Sequence, residues 1–301
     1  MEIIKNALKK NLGMSIPFLD EIIEYILSAN NNFSRSSLLI RCAKLFGDLD
    51  PKIVDVGTTL EFLHTASLLH RHLNEFENAR RYQVYVDKIL GSEASVLLGD
   101  YLLSISFKIL TRLGNLDILE CLSLCTKNIS RGQVMEISEP NLLANQKHWY
   151  NVIRYKIAGI YGAGAQCAAY WGNSSQETAS KLFSFGEHFG IAFQLKKELD
   201  TIFDKKIIQQ KLKNKELWSP LCFLIHECMS ERESIEILEK LRNEFDNKDM
   251  SNEIFNKFKK YELKKKLKTE AIRELREAEF FLKNLEIDTT KIQPLTLYSN
   301  I

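Results

Sequence analysis

Proline and glycine are scarce in this chain, at five and thirteen of 301 residues. So few breakers leave little room for turn-rich β architectures, which need a reversal every few residues. Convincing strand alternation is likewise missing. Cysteine is present without pairing: Cys42, Cys121, Cys125, Cys167, Cys222 and Cys228 lie in apolar runs, with no C-x-x-C and no small-domain spacing. That usage points to a reduced, cytoplasmic compartment. Cys121 and Cys125 share a helix face, but no histidine or second cysteine pair completes a zinc set. Neither sign of charge dominates. A net charge of +2 gives no global reason to expect nucleic acid or an acidic membrane surface. Met1-Glu-Ile-Ile-Lys5 has no apolar core of a secretion signal, and no linker, repeat or disordered tract stands out. The most membrane-like stretch, Ile157 to Trp171, falls short of the roughly 20 residues a bilayer core needs. It also contains Gln166 and follows Lys156, so no transmembrane segment is expected.

Apolar residues recur at helical spacing almost throughout. Ala271, Leu275, Ala278, Leu282 and Leu285 step by four, three, four and three along the last long helix, where Glu279 and Lys283 stand i,i+4. Ser230-x-x-Glu233 reads as a capping box, with Ile235, Leu238 and Leu241 on the inner face of the helix it opens. The small residues between 157 and 171 (Ala158, Gly159, Gly162, Ala163, Gly164, Ala165) predict a buried helix closely approached by its neighbours. Breaks are expected near 30–32, 47–51, 91–92, 139–141, 172–175 and 246–251. The fold class that follows is all-α, a single domain over residues 1–301 with roughly ten or more helices of ordinary length.

Two stretches carry more information than the rest. Glu61-x-x-His64-Thr-x-Ser67-Leu-x-His70 leads into Arg71-His72-Leu-Asn-Glu75, and Gly186-x-x-x-Gly190-Ile-Ala-Phe193-Gln194 leads into Lys197-Glu198-Leu-Asp200-Thr201. Between them lie Arg80-Arg81, Val96-Leu-Leu-Gly99-Asp100-Tyr-Leu-Leu, Arg131-Gly132-Gln133-Val-Met-Glu136 and Tyr150-x-x-Ile153-x-x-Lys156-Ile157. In this order, over roughly residues 30–285, the chain resembles the trans-prenyl diphosphate synthases. The resemblance implies an isoprenoid-synthase helical bundle around a central cavity. It makes His64, Arg80, Arg81 and Lys156 candidates for diphosphate binding, and Ala66, Ser67, Phe193 and Gln194 candidates for lining the cavity.

The departures from the family pattern matter as much. Each signature helix of the family ends in Asp-Asp-x-x-Asp, and the two motifs hold Mg²⁺ against a departing diphosphate. Mg²⁺ requires several hard oxygen ligands. Here Arg71, His72 and Glu75 occupy the first motif and Lys197, Glu198 and Thr201 the second, each set roughly neutral. A fixed cation about 4 Å from a divalent ion costs on the order of 8 kcal/mol at an effective dielectric near 20, an upper figure for flexible side chains. Asp200 is one residue off register and projects about 100° from the expected direction on a helix. The family's Gly-Gly-Lys-Arg-x-Arg-Pro segment corresponds to residues 31–37, where Arg35 is near but out of register. Its Gly-Lys-x-Thr-x-Pro loop corresponds to residues 215–220, where only Pro220 is kept. Lys205, Lys206, Lys211, Lys213 and Lys215 read as a solvated loop.

The resemblance implies a polyprenyl-diphosphate-synthase homologue of isoprenoid biosynthesis, noncatalytic, needing no cofactor. Its expected partner is an active prenyl diphosphate synthase, met through the apolar surface around Val96 to Leu110, or a second copy of itself. Two alternatives stand beside it. One is an active chain-elongating prenyltransferase using Mg²⁺ at Glu75, Glu198 and Asp200. The other is a metal-independent prenyl-diphosphate binder using Arg71, Arg80, Arg81 and Lys197.

Overall fold

The computed structural model describes residues 2–12, 33–70, 79–138, 145–213, 218–243, 248–287, 289 and 292. Side chains at 79–93, 242–243 and 248 lie outside that description. The elements are α1 (Glu2–Leu12), α2 (Ser34–Ala43), α3 (Pro51–Leu69), α4 (Ala79–Leu113), α5 (Leu116–Ser138), α6 (Gln146–Ile153) and a π turn (Arg154–Ala158). There follow α7 (Gly159–Trp171), α8 (Gln176–Thr201), α9 (Lys205–Lys213), α10 (Ser219–Phe223), a second π turn (Leu224–Cys228), α11 (Glu231–Asn243), α12 (Lys248–Lys260) and α13 (Leu263–Lys283). No strand occurs among the described residues, in keeping with the all-α expectation.

Local chemistry starts and stops these helices. Asp50 caps α3 by accepting from the Lys52 backbone N–H at 2.8 Å, and Pro51 follows where its missing N–H costs nothing. Asn145 caps α6 through the His148 N–H at 2.9 Å. The break expected at 91–92 does not occur, because α4 runs unbroken from Ala79 to Leu113. It ends instead at Gly114, whose φ of +69° suits a residue without a side chain, and Asn115 then accepts from the Ile118 N–H at 3.0 Å to open α5. The capping box is present: Ser230 Oγ donates to Glu233 at 3.0 Å and accepts from the Glu233 N–H at 3.4 Å. The inner face of α11 is shifted from the expected one. Ile237 and Leu241 are buried, whereas Ile235 is 50% exposed.

The chain groups into two compact units, each discontinuous in sequence. The first comprises residues 1–127, 160–186 and 280–293. Its core joins Ile4, Leu8 and Leu12 of α1 to Phe62 and Ala66 of α3 and to Leu98, Leu102, Ile105 and Ile109 of α4. Ala94–Leu113 is long and apolar enough to cross a membrane by length and composition, unlike the stretch singled out from sequence, and 44% of it is buried. The second unit comprises residues 128–159, 187–279 and 294–301. Its core gathers Trp149, Leu195, Trp218, Phe223, Phe258 and Ala271. Helix α13 buries Ala271, Leu275, Ala278 and Leu282 as the stepping predicts, with Leu285 buried just past its end.

Within the first unit α7 is buried along most of its length. A Cβ built on Gly186 of α8 would stand 2.5 Å from the Tyr161 carbonyl oxygen and 2.8 Å from the Gly162 Cα. A Cβ on Gly162 would stand 2.9 Å from the Phe183 carbonyl oxygen. The obstacles are backbone atoms, which cannot rotate away. Gly186→Ala is therefore expected to cost about 1–3 kcal/mol through overpacking. Chemical denaturation of the variant checks it, and an unchanged midpoint would refute the close approach.

Candidate functional site

One group of the residues singled out from sequence lies in the first unit, on and around α3. Eleven of the 19 residues of this helix are buried, so its buried polar side chains need internal partners. Thr58, Thr59 and Thr65 donate to the carbonyls of Val54, Asp55 and Glu61 at 2.8–2.9 Å. Glu61, 1% exposed, accepts from the Ser36 N–H at 3.0 Å, the Ser36 hydroxyl at 2.9 Å and Arg35 at 3.4 Å. Arg35 also lies over the Tyr161 ring, 5.5 Å from its centroid. It is thus a buried structural cation that ties α2 to α3. His64 is half-buried, with its carbonyl accepting from Ser67 Oγ at 2.7 Å, and Ala66 is packed into the core. His70 closes α3 with Nε2 3.2 Å from Asp100 Oδ1. A Cβ on Gly99 would stand 2.3 Å from that nitrogen, so the glycine makes room for the imidazole. Arg71, His72 and Glu75 lie outside the described residues. Arg80 and Arg81 fall in the first turn of α4, with side chains outside the description.

A separate group lies in the other unit. Lys156 sits at the centre of the first π turn, and its Nζ lies 2.7 Å from Glu136 Oε2, with both side chains under 8% exposed. Gly132 permits this, because a Cβ there would stand 2.9 Å from the Lys156 backbone nitrogen. On α8, Phe193 is buried and Lys197 Nζ lies 5.9 Å from its ring centroid. Gln194 donates to Glu198 Oε1 at 2.6 Å, and the Ser219 N–H donates to Glu198 Oε2 at 3.2 Å. Burial pushes the Glu198 carboxyl up to about 7, against the opposing pull of Gln194, Lys211, Ser219 and Lys197. Thr201 donates its hydroxyl to the Glu198 carbonyl at 3.3 Å, and Asp200 is exposed. The lysine-bearing segment after it is helical from Lys205 to Lys213, not a loop.

One polar network was not anticipated. Glu274, 1% exposed, receives His188 Nδ1 at 2.7 Å and Arg273 at 2.7 Å, while Arg273 also donates to the Tyr150 hydroxyl at 2.9 Å. Tyr150 in turn contacts Glu270. The i,i+4 carboxylates Glu270 and Glu274 with Arg273 between them were the available signal, but Tyr150 and His188 lie far away in sequence. The network ties α13 to α6 and α8 within this unit.

The polyprenyl synthetase family profile matches residues 16–258. The chain belongs to the polyprenyl synthetase family. Among curated family members, it is 28% identical over 204 residues to the octaprenyl diphosphate synthase of Escherichia coli K12, covering 67% of this chain and 62% of that one. It is 26% identical over 177 residues to the geranylgeranyl diphosphate synthase of Methanosarcina mazei, covering 57% and 55%. The matches thus span less than two thirds of these relatives' length. Its fold is that of a decaprenyl diphosphate synthase from Rhodobacter capsulatus, with TM-score 0.83 and 23% identity over 100% of this chain and 94% of that one. A heptaprenyl diphosphate synthase from Staphylococcus aureus gives TM-score 0.84 and 18% identity, covering 99% and 95%. The family's Mg²⁺ does not fit the second-motif residues of this polyprenyl synthetase homologue. Glu198 is buried and bonded through both oxygens, and Lys197 brings a positive charge. Among the described residues no trio of His, Cys, Asp or Glu is grouped to hold a metal.

Proposed function

We propose that this polyprenyl synthetase homologue is a noncatalytic, cytoplasmic subunit that joins an active prenyl diphosphate synthase and adjusts its rate or product length. The observation that carries the reading is the state of Glu198. It is the one acid in register in the second motif, and its two oxygens are committed to Gln194 and the Ser219 N–H. Ionising an allylic diphosphate requires positive charge concentrated on the departing group, which in this family is supplied through carboxylate-held Mg²⁺. A buried carboxylate whose two oxygens already accept hydrogen bonds is poorly placed to serve as a ligand for a hard divalent ion. Lys156 supports the same reading, since its charge is balanced by Glu136 at 2.7 Å.

The test is turnover. Purified protein incubated with Mg²⁺, isopentenyl diphosphate and allylic diphosphates of increasing length is expected to give no labelled product. Added to a synthase with both Asp-rich motifs intact, it is expected to co-elute with that enzyme and shift its chain-length distribution. Chain elongation by the isolated protein would overturn the proposal, as would failure to alter or bind any such synthase from the same cell.

A further inference from the structure

Two phenylalanines in the second unit form a ring pair with lysines gathered around it. Phe203 follows α8 and Phe255 lies on α12, their centroids 5.9 Å apart in an edge-on arrangement. Lys205 of α9 and Lys259 of α12 place their ammonium groups 4.8 and 4.4 Å from the Phe255 centroid, and Lys264 of α13 lies 6.0 Å from that of Phe203. Two stretches distant in sequence, 203–205 and 255–264, thus converge on one cluster. Lys205, Lys259 and Lys264 are exposed, and Phe203 is 38% exposed.

The cluster sits in a local excess of positive charge. Residues 257–268 hold seven lysines and a single acid, Glu262. Lys257, Lys260 and Lys265 lie within 4.0 Å of Glu253, Glu233 and Glu262. Lys205 reaches only the Asn252 amide oxygen, at 2.8 Å, and neither Lys259 nor Lys264 has a carboxylate within ion-pair distance among the described residues. Asp204 is adjacent and offsets one of these charges, its Oδ1 accepting from the Lys206 and Ile207 N–H groups at the start of α9. Against a whole-chain net charge of +2 this is a concentrated cationic spot.

We propose that this Phe203–Phe255 and lysine cluster docks the protein on an anionic bilayer surface. Lysines at phosphate level around a partly exposed aromatic ring match the composition of a membrane–water interface, where rings sit among headgroups and basic side chains meet anionic lipid. A single-stranded nucleic acid is disfavoured by the same geometry. Base stacking needs an open ring face, and Phe255 already has two ammonium groups within 5 Å of its centroid. The inference is independent of whether the chain is catalytic.

The test is co-sedimentation of the full chain with phosphatidylcholine vesicles, with and without phosphatidylserine, at low and high salt. Binding is expected only with phosphatidylserine and is expected to fall as salt rises. A lysine near an anionic surface contributes roughly a factor of five, so Lys259→Glu with Lys264→Glu is expected to weaken binding roughly 25-fold or more. Phe203→Ser is expected to weaken it several-fold as well. Circular dichroism of both variants should match wild type, because the replaced groups are exposed. Absence of binding, equal binding by the double variant, or indifference to Phe203→Ser combined with full competition by a polynucleotide would each overturn the proposal.

Discussion

Lys156→Met is expected to destabilise the protein by about 3–5 kcal/mol, the cost of leaving one member of a buried ion pair without its counter-charge. The partner, Glu136, is 4% exposed and cannot recover water without opening the helices around it. Glu136→Leu alone is expected to cost a similar amount, because it strands the ammonium. The double replacement is expected to recover most of the loss, since an apolar pair of similar volume escapes the desolvation that both charges suffer. Urea denaturation of the four proteins, read at constant slope, measures the coupling. If both single variants fall within about 1 kcal/mol of wild type, the pair is solvated and Lys156 is available to an anion after all.

The second large effect concerns pH. Glu198 is protonated more readily in the folded chain, at about 7, than in the unfolded one, near the ordinary carboxylate value. The folded state therefore holds the extra proton between those values, and this group's contribution to stability falls as pH rises from about 4.5 to 7. Above that window the penalty is complete and amounts to about 3 kcal/mol, the order of magnitude of the shift. Glu198→Gln is neutral and retains an acceptor for the Ser219 N–H, while the Gln194 amide can turn to meet it. The variant is expected to match wild type near pH 4.5 and to exceed it by about 2–3 kcal/mol at pH 8. A pH-independent difference between the two proteins would show that the carboxyl is solvated and open to a cation.

Most helices were legible from periodicity, and α13 is the clearest case because its apolar steps match one buried face. The failures have physical reasons. Gly91 sits inside α4 because an isolated glycine costs only about 1 kcal/mol in a helix held by packing, whereas Gly114 ends that helix because its φ is positive. The inner face of α11 could not be fixed from Ile235, Leu238 and Leu241 alone, since a neighbouring register through Ile237 fits equally well. The lysines from 205 to 213 suggest a loop, although Ile208 and Leu212, four apart, anchor them as a helix against the core. In the candidate site, the sequence singles out Lys156 and Glu198 but gives no hint of how they are engaged. Glu136 is 20 residues from Lys156, and Ser219 is 21 from Glu198. Only the folded arrangement of the chain makes neighbours of them.

The π turn at Arg154–Ala158 winds one residue wider than an α-helix, with the Gly159 N–H reaching back to the Arg154 carbonyl. It works as a phase shifter, holding a surplus residue that α-helical winding would spread as a rotation of about 100° over everything downstream. Any alignment that counts heptads or i+4 steps straight through this stretch assigns Lys156 a false azimuth, so homologues with and without the extra residue should be superposed on the turn itself.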